Sequence, residues 1–377
     1  MFELIRQLFV FFYTVPAQTP LRSGPSLELL NPPHHPRPYV IRHYAPANGI
    51  VTGNIVFRFP VTGPASDNEF TLVGTNGPGS EDLVVLPHIH KTHYESFYNI
   101  KGRVELWTQH GGNTEQQARS LTQGDFGAAP TYTNHTLRLV DPDTELLGAV
   151  VPGGFEDMFY YIGDKWDAAN AVPYDPSLPP IRNPGTNHTL LDSLRRFDVW
   201  SQLDFVPRRD LINGAAPACQ PWHRGFNPIA NDSDTAYFVA NGFGPKYLDR
   251  DLTGFWQLVQ PLVTPEASGN TTFSLATISI NGLLPRRSPS SVPSFKQPNG
   301  CAFSVIEGSL TVIIEGYDSA HLGTGDVVFI PKETKFTYYS QASFTKVLYV
   351  SGGSRGIDQQ LIQSGEWATS PMFPAEY

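Results

Sequence analysis

The residues best suited to chemistry in this sequence are three histidines and a glutamate at fixed offsets. His88 and His90 stand on either side of Ile89, Glu95 follows shortly after, and His135 comes from a later segment. Side chains alternate between the two faces of an extended strand, so His88 and His90 point to the same side. Glu95 can approach from the next stretch of strand and His135 from a paired strand. The pattern predicts a metal site with three nitrogen ligands and one oxygen ligand.

Such a site is typical of catalysis because four protein ligands of this kind leave room for a substrate or for O₂. The ligand types alone admit Mn, Fe, Co, Ni, Cu or Zn. Zn²⁺ does not support redox chemistry, so the identity of the metal decides the class of reaction. His93 lies nearby, but its odd offset from His90 places it on the opposite face of a continuing strand. We therefore expect a surface role for His93.

The elements that must position these residues are strands. Alternating or apolar segments occur at residues 55–59, 70–73, 104–107 and 137–140, and Gly, Pro, Asn and Asp separate them. Residues 166–187 are rich in Pro, Asn and Asp, which predicts a surface connection. The apolar spacing from Leu190 to Phe197 predicts a short helix. A second β unit is predicted over residues 200–350.

The two units resemble an internal repeat. Gly308 corresponds to Gly102, and the segment from Gly325-Asp326 to Pro331 corresponds to the segment from Gly124-Asp125 to Pro130. Counting from these landmarks gives the residues of the second unit at the offsets of His88, His90, Glu95 and His135, in that order: Ser294, Lys296, Cys301 and Phe336. These side chains cannot rebuild a shell of three imidazoles. The second unit is therefore predicted to be metal-free.

The spacing His-x-His, Glu, Gly, followed by Gly, Pro, His, resembles the two-part cupin signature. Longer stretches resemble the fungal quercetin 2,3-dioxygenases over nearly everything from residue 36 to the C-terminus. These stretches are Arg37-Pro38-Tyr39-Val40-Ile41-Arg42-His43-Tyr44, Val61-Thr62-Gly63-Pro64, Leu86-Pro87-His88-Ile89-His90, Val151-Pro152-Gly153-Gly154-Phe155-Glu156-Asp157 and Asn241-Gly242-Phe243-Gly244-Pro245-Lys246-Tyr247.

The resemblance implies an all-β bicupin fold, in which two jelly-roll barrels are joined by a linker with a short helix. We expect an N-terminal cupin with the metal site at 36–160, a linker at 161–199, and a C-terminal cupin without a metal site at 200–377. It also implies one copper ion in the N-terminal cupin, although ligand type does not exclude Mn, Fe, Co or Ni. The implied reaction opens a flavonol such as quercetin with O₂, giving a depside and carbon monoxide.

Glu95 has two roles in this interpretation. Beside the metal, its carboxylate is expected to accept the proton of the flavonol 3-hydroxyl as general base. The family pattern also implies an apolar pocket around the ion, formed by Phe57, Val73, Thr75, Phe97, Leu137, Leu146 and Phe155. Four of these depart from the family pattern: Phe57 replaces a Tyr, Val73 and Leu146 replace Met, and Leu137 replaces a Phe. The preferred flavonol therefore stays open.

Two other functions remain as alternatives. A cupin oxidase or decarboxylase acting on a small acid such as oxalate needs a cationic group to hold the carboxylate, and the expected pocket offers apolar side chains and one Thr. A non-catalytic ligand-binding or storage bicupin is the other alternative, but such proteins tend to lose their histidines.

The composition of the chain limits the kinds of binding partner that it can have. The 377 residues carry a net charge of -9 without a clustered basic patch, which argues against nucleic acid and anionic membranes. No apolar run reaches the length of a membrane span. A small-molecule flavonol is the expected partner, with a homodimer left open. Cys219 and Cys301 allow at most one disulfide.

The N-terminus suggests export. An apolar run at residues 8–15 follows Arg6 and leads to small residues before Gln18, so residues 1–17 are predicted to be a signal peptide of a secreted protein. A misassigned start or a buried leading strand is the alternative. Glycosylation triplets that fit a secreted glycoprotein occur at Asn134, Asn187, Asn231 and Asn270.

Overall fold

The computed structural model describes residues 24–111, 115–166, 171–180, 188–217, 221–250, 255–269, 272–282 and 292–374. Most of the regular structure in these ranges is β. The strands of the first half and the linker are β1 (Glu28–Leu29), β2 (Tyr39–Ile41), β3 (Ile50–Thr52), β4 (Ile55–Val61), β5 (Thr71–Gly77), β6 (His88–Ile89), β7 (Tyr94–Lys101), β8 (Val104–His110), β9 (Gln117–Leu121), β10 (Phe126–Ala129), β11 (Thr133–Leu139), β12 (Thr144–Val151), β13 (Asp164–Lys165) and β14 (Trp200–Ser201).

The second half continues in the same way. Its strands are β15 (Tyr237–Val239), β16 (Tyr247–Arg250), β17 (Trp256–Val263), β18 (Ser274–Asn281), β19 (Phe295–Lys296), β20 (Cys301–Glu307), β21 (Leu310–Ile314), β22 (Ala320–Leu322), β23 (Val327–Ile330), β24 (Lys335–Tyr339), β25 (Phe344–Ser351) and β26 (Glu366–Trp367). The helices are short: α1 (Gly63–Ser66), α2 (Glu156–Ile162), α3 (His188–Leu194), α4 (Pro265–Ser268), α5 (Ile357–Ser364) and a 3₁₀ helix (Arg195–Phe197).

Each half forms a barrel from one large and one small sheet. In the first barrel the large sheet has the order β13-β3-β4-β5-β12-β7-β10-β15 and the small sheet β14-β6-β11-β8-β9. In the second barrel the orders are β1-β2-β23-β20-β25-β18-β17-β16-β26 and β19-β24-β21-β22. The predicted all-β bicupin fold is confirmed.

The two barrels repeat each other strand for strand. The segment from β3 to β12 corresponds to the segment from β16 to β25, and both barrels end on a helix, α2 or α5, that follows the last long strand. The same turn recurs at Gly102 and Gly308, where φ is +68° and +80° and an added Cβ would lie within 2.6 Å of a neighbouring atom. Only glycine adopts this conformation in such a confined space without strain.

The barrels exchange edge strands reciprocally. Strand β2 precedes the first barrel but pairs with β23 of the second, and β15 precedes the second barrel but pairs with β10 of the first. The second residue after each exchanged strand donates its N–H to an aspartate of the other barrel, His43 to Asp326 and Asn241 to Asp125, at 2.9 Å in both cases. The predicted domain limits 36–160 and 200–377 stay predictions, and these pairings cross them.

An apolar core between the barrels accompanies the exchange. Tyr39 and Phe70 pack on Phe329, with ring centroids 5.5 and 6.0 Å apart. All three are buried. Burying each such ring contributes roughly 1.5–3 kcal/mol, so the contact between the barrels is a core of its own.

A short helix is present where the sequence predicts one. The helix expected from Leu190 to Phe197 is present as α3 and the 3₁₀ helix. The predicted signal peptide 1–17, Cys219, Asn187 and Asn270 lie outside the described residues. Cys301 is buried and has no disulfide partner among the described residues. None of the helices in the described ranges is long and apolar enough to span a membrane.

Candidate metal centre

Two strand pairings and one turn bring the four predicted ligands together in the first barrel. His88 on β6 lies directly opposite His135 on β11. His90 follows β6 immediately, and Glu95 is the second residue of β7. The chain between His90 and Glu95 turns so that both side chains point into the barrel.

The ligand atoms converge on one point. Glu95 Oε2 lies 3.1 Å from His90 Nε2 and 2.9 Å from His135 Nε2. The four residues each offer one atom within 4.8 Å of the others. The imidazoles of His90 and His135 are about 1% exposed, and the Glu95 side chain is 17% exposed. The carboxylate is therefore the ligand that faces the opening.

Backbone carbonyls fix the orientation of all three rings. The Nδ1 atom lies 2.7 Å from Leu86 O in His88, 2.8 Å from Asp198 O in His90, and 2.8 Å from Thr133 O in His135. A carbonyl only accepts, so each Nδ1 carries the proton. The unprotonated Nε2 atoms then face the centre, as in metal-binding histidines generally.

The electrostatics of the cluster suit a cation. Burial, together with the neighbouring His135 and His90, lowers the pKa of His88 well below its ordinary value and keeps the ring neutral. Burial alone would raise the pKa of Glu95, but the adjoining His135 and His90 rings outweigh it and bring that pKa well below its usual range. Neutral imidazoles beside an ionised carboxylate are the donor set that a divalent transition metal requires. The residues present therefore fit a metal ion.

A cavity of about 250 Å³ opens next to the cluster. His88, Glu95 and His135 form part of its wall. The remaining lining is mostly apolar and includes all seven residues predicted for the pocket: Phe57, Val73, Thr75, Phe97, Leu137, Leu146 and Phe155. No lysine or arginine is among the described residues that line it. The cavity is slightly smaller than most ligand pockets, and its lining suits an apolar ring system.

Comparison with known proteins identifies the family. The chain is 46% identical over 355 residues to the quercetin 2,3-dioxygenase of Aspergillus japonicus, covering 93% of this chain and 99% of that protein. The chain belongs to the quercetin 2,3-dioxygenase family. The resemblance predicted from the sequence is thus confirmed, and with it a dioxygenase at the level of the family.

Other relatives match less of the chain. A quercetin 2,3-dioxygenase of Bacillus subtilis is 31% identical over 148 residues, covering 39% of this chain and 41% of that protein. Residues 302–353 match the family model for the ethanolamine utilisation protein EutQ. The solved salicylate 1,2-dioxygenase of Pseudaminobacter salicylatoxidans is 12% identical, covers 89% of this chain and 90% of that chain, and superposes with a TM-score of 0.49.

His93 is half-buried in this quercetin 2,3-dioxygenase family member and has specific partners. Its side chain is 14% exposed, its Nδ1 lies 3.0 Å from Asp198 Oδ2, and its ring packs 5.2 Å from Phe155. The expected surface role is therefore wrong. The alternation of strand faces fails here because residues 91–93 form a turn between β6 and β7.

Helix α2 and the linker also line the cavity, which was not predicted from the sequence. Helix α2 and the segment around α3 complete the cavity with further apolar side chains: Met158, Phe159, Ile162, Leu190, Leu191, Leu194 and Val199. The apolar spacing that predicted the α3 helix also marks its inner face, and this signal could have located the wall. Asp198, the carbonyl partner of His90, has no comparable local signal.

The second barrel has different residues at the ligand positions than counting predicted. Phe336 pairs with Phe295, as His135 pairs with His88. Gln297 O accepts from Glu333 N, as His90 O accepts from Tyr132 N. The predicted correspondence of Ser294 and Lys296 to His88 and His90 is therefore wrong by one residue. The counterparts of the two histidines are Phe295 and Gln297. Cys301 and Phe336 keep the positions predicted for them.

Proposed function

We propose that this protein is a metal-dependent dioxygenase that opens the heterocyclic ring of a flavonol with O₂, giving a depside and carbon monoxide. The observation that carries the proposal is the convergence of His88, His90, Glu95 and His135 at the wall of an apolar cavity. These four residues are the proposed metal ligands. Copper is the proposed ion, because the resemblance is to the fungal enzymes.

The protein's own groups bind and deprotonate the substrate. When bound, the ion supplies a Lewis acid that favours the ionised 3-hydroxyl oxygen and a redox partner for O₂. Glu95 holds its ionised oxygen at the cavity side of the cluster, where it can accept the 3-hydroxyl proton as general base. The adjacent His90 and His135 rings stabilise the carboxylate in the ionised form that this step requires.

The cavity walls position the substrate. Phe97, Leu137 and Phe155 present apolar surface close to the ligands, with the Phe97 ring 5.9 Å from His135 and the Phe155 ring 5.0 Å from His90. Phe57, Val73, Thr75 and Leu146 complete the proposed binding surface. A planar aromatic ring system gains from this burial and from ring packing. A ring system bound here would displace water from the same surface, which protects the reacting centre from competing reactions.

The lining also separates this proposal from decarboxylation of a small acid. A site for oxalate requires a cationic side chain to pair with the carboxylate. The described lining provides none. A flavonol carries its polar groups at the rim of an apolar ring system and needs no such partner.

The test combines metal analysis with turnover. We expect the purified protein to contain stoichiometric copper, to consume O₂ in the presence of quercetin, to release carbon monoxide and to remove the flavonol absorbance band. Stoichiometric copper without loss of that band across several flavonols would overturn the dioxygenase proposal. If activity depends on added Mn, Fe, Co or Ni instead, the choice of copper is wrong but the dioxygenase proposal stands.

We also propose that the protein is secreted with residues 1–17 removed. In the described residues Asn231 is exposed, as glycosylation requires, whereas Asn134 is half-buried beside His135. Mass spectrometry of protein collected from the culture medium should find a new N-terminus near Gln18 and a glycan at Asn231. An intact Met1 on protein from the medium contradicts the cleavage.

A further inference from the structure

The turn between His90 and Glu95 is held by one side chain from the linker. Asp198 Oδ2 accepts hydrogen bonds from the backbone N–H of Thr92 at 2.7 Å and of His93 at 3.0 Å. It also accepts from the Thr92 hydroxyl at 2.6 Å, and Asp198 Oδ1 lies 2.9 Å from Lys91 N. Three successive amides of the turn thus point at one carboxylate.

Asp198 contacts a ligand through its backbone as well. Its carbonyl oxygen lies 2.8 Å from His90 Nδ1. Asp198 has φ of +63°, the left-handed conformation, which is uncommon outside glycine. This conformation lets the carbonyl reach His90 while the carboxylate reaches the turn. The Trp200 indole donates to Asp198 Oδ1 at 3.1 Å and fixes the carboxylate from the other side.

The same linker segment continues as β14, which pairs with β6 at Trp200–Ile89 and Ser201–His88. Strand β6 therefore lies between β14 and β11. Its counterpart β19 lies at the edge of its sheet and pairs with β24 alone among the described strands. Residues 198–201 thus add to the metal barrel a support that the described part of the other barrel lacks.

Donors surround the carboxylate in this setting. It accepts from the backbone N–H of Lys91, Thr92 and His93 and from the Thr92 hydroxyl. Hydrogen bonds to a charged acceptor are about twice as strong as neutral ones. The turn is consequently restrained more firmly than a backbone turn of its length would be by itself.

We propose that Asp198 is a positioning residue that presets His90 and Glu95 for the metal ion. The inference rests on the proposed function, since it takes these two residues as ligands. Asp198 is neither one of the four proposed ligands nor part of the cavity lining. It holds the main chain that carries one ligand at each end and orients the ring of the first, so that little rearrangement is needed when the ion binds.

The test measures metal affinity of the metal-free protein rather than turnover. In Asp198→Asn one oxygen acceptor becomes a donor and faces N–H groups. We expect the dissociation constant for Cu²⁺, from competition with a chelator of known affinity, to rise about 10–100-fold, the range seen when outer partners of ligands are replaced. The electron paramagnetic resonance spectrum of the Cu²⁺-loaded variant should also change. The matched control is Asp210→Asn, an exposed aspartate bonded to Arg208.

Unchanged copper affinity and an unchanged spectrum in Asp198→Asn would overturn the inference. The melting temperature of the metal-free protein separates positioning from unfolding, since positioning predicts lost affinity in a folded variant. If Asp198→Asn does not fold, Thr92→Val decides, because it removes only the hydroxyl contact: a several-fold loss of affinity supports the inference and parental affinity overturns it. If the unmodified protein binds no copper, the proposed metal centre is wrong. If it binds copper but does not turn over flavonols, only the proposed reaction is wrong.

Discussion

The two barrels have the same strand order and the same turns, yet their interiors differ. At the paired inward positions the first barrel has His88 and His135, and the second has Phe295 and Phe336. In the second barrel the Phe303 ring lies 6.1 Å from Phe336 and 5.1 Å from Tyr338. These rings occupy the volume that corresponds to the ligand cluster.

The difference shows how little the backbone decides about chemistry. The main-chain hydrogen bond made by His90 O is also made by Gln297 O. Cys301 on β20 occupies the position that Glu95 occupies on β7. Burial raises the pKa of the Cys301 thiol far above its ordinary value, so it stays protonated and is a poor ligand. The same framework therefore supports either a His/Glu cluster beside a cavity or a filled apolar core, depending on a few side chains.

Converting a ligand of the first barrel into its counterpart should have the largest effect. His135→Phe places at β11 the residue found at β24. We expect the protein to lose its copper and all flavonol turnover, because three ligands remain and a bulky ring enters the centre. Metal content and O₂ uptake measure this, with Phe336→Leu as the control that keeps both. Retained copper in His135→Phe would exclude His135 from the ligands.

Removing only the charge of Glu95 sharpens the comparison further. Glu95→Gln keeps the shape of the side chain but cannot accept the 3-hydroxyl proton. We expect copper to remain bound and turnover to fall by about 10²–10⁴-fold, measured as loss of the flavonol absorbance. The exposed Glu81→Gln is the control. Undiminished activity in Glu95→Gln would end the general-base role.

Truncating one ring in each barrel compares a filled interior with a hollow one. Phe303 and Phe97 occupy equivalent positions, two residues after Cys301 and Glu95. Phe303→Ala should lower the free energy of unfolding by about 3–5 kcal/mol, because it leaves a cavity in a packed core. Phe97→Ala should cost about 1.5–3 kcal/mol, since the ring already borders a cavity. Urea unfolding of the metal-free proteins gives both values, and equal losses would contradict the difference in packing.

The smallest expected effect concerns a feature that the barrels share. Thr71 bonds Glu156 on α2, and Ser274 bonds Asp358 on α5. Burial raises the pKa of both carboxyl groups. The folded protein then keeps these protons to higher pH than the unfolded chain, so stability falls as pH rises through the unfolded values near 4.

Glu156→Gln and Asp358→Asn should each reduce the loss of stability with rising pH, because the amides do not titrate. Urea unfolding at about pH 4 and pH 6 checks the prediction. If both variants lose stability with rising pH as steeply as the parent, then neither carboxyl group contributes to the dependence.

The sequence predicted that the four proposed ligands lie together, because their geometry is local. Strand alternation aligns His88 with His90, and the Gly and Pro landmarks locate Glu95 and His135. The counterparts of the first two histidines were displaced by one residue because the landmarks that were counted lie after them. The pairing of Phe295 with Phe336 and the bond from Glu333 N to Gln297 O fix that register.

The contribution of the linker could not be predicted in the same way. Asp198 acts on residues more than a hundred positions away, and an aspartate after a short helix has no special signal in a single sequence. The exchanged strands β2 and β15 are likewise short apolar segments whose partners depend on how the barrels meet. What remained hidden was tertiary contact between distant segments.

The exchange of β2 and β15 also limits how genes of this family can recombine. A crossover in the linker would give a chimera in which each barrel receives its edge strand from the other parent. Both foreign junctions, β2 with β23 and β15 with β10, would have to match at once, along with the aspartate contacts that follow them. Selection on the barrel with the proposed metal centre therefore also constrains the other barrel, which provides one of its strands.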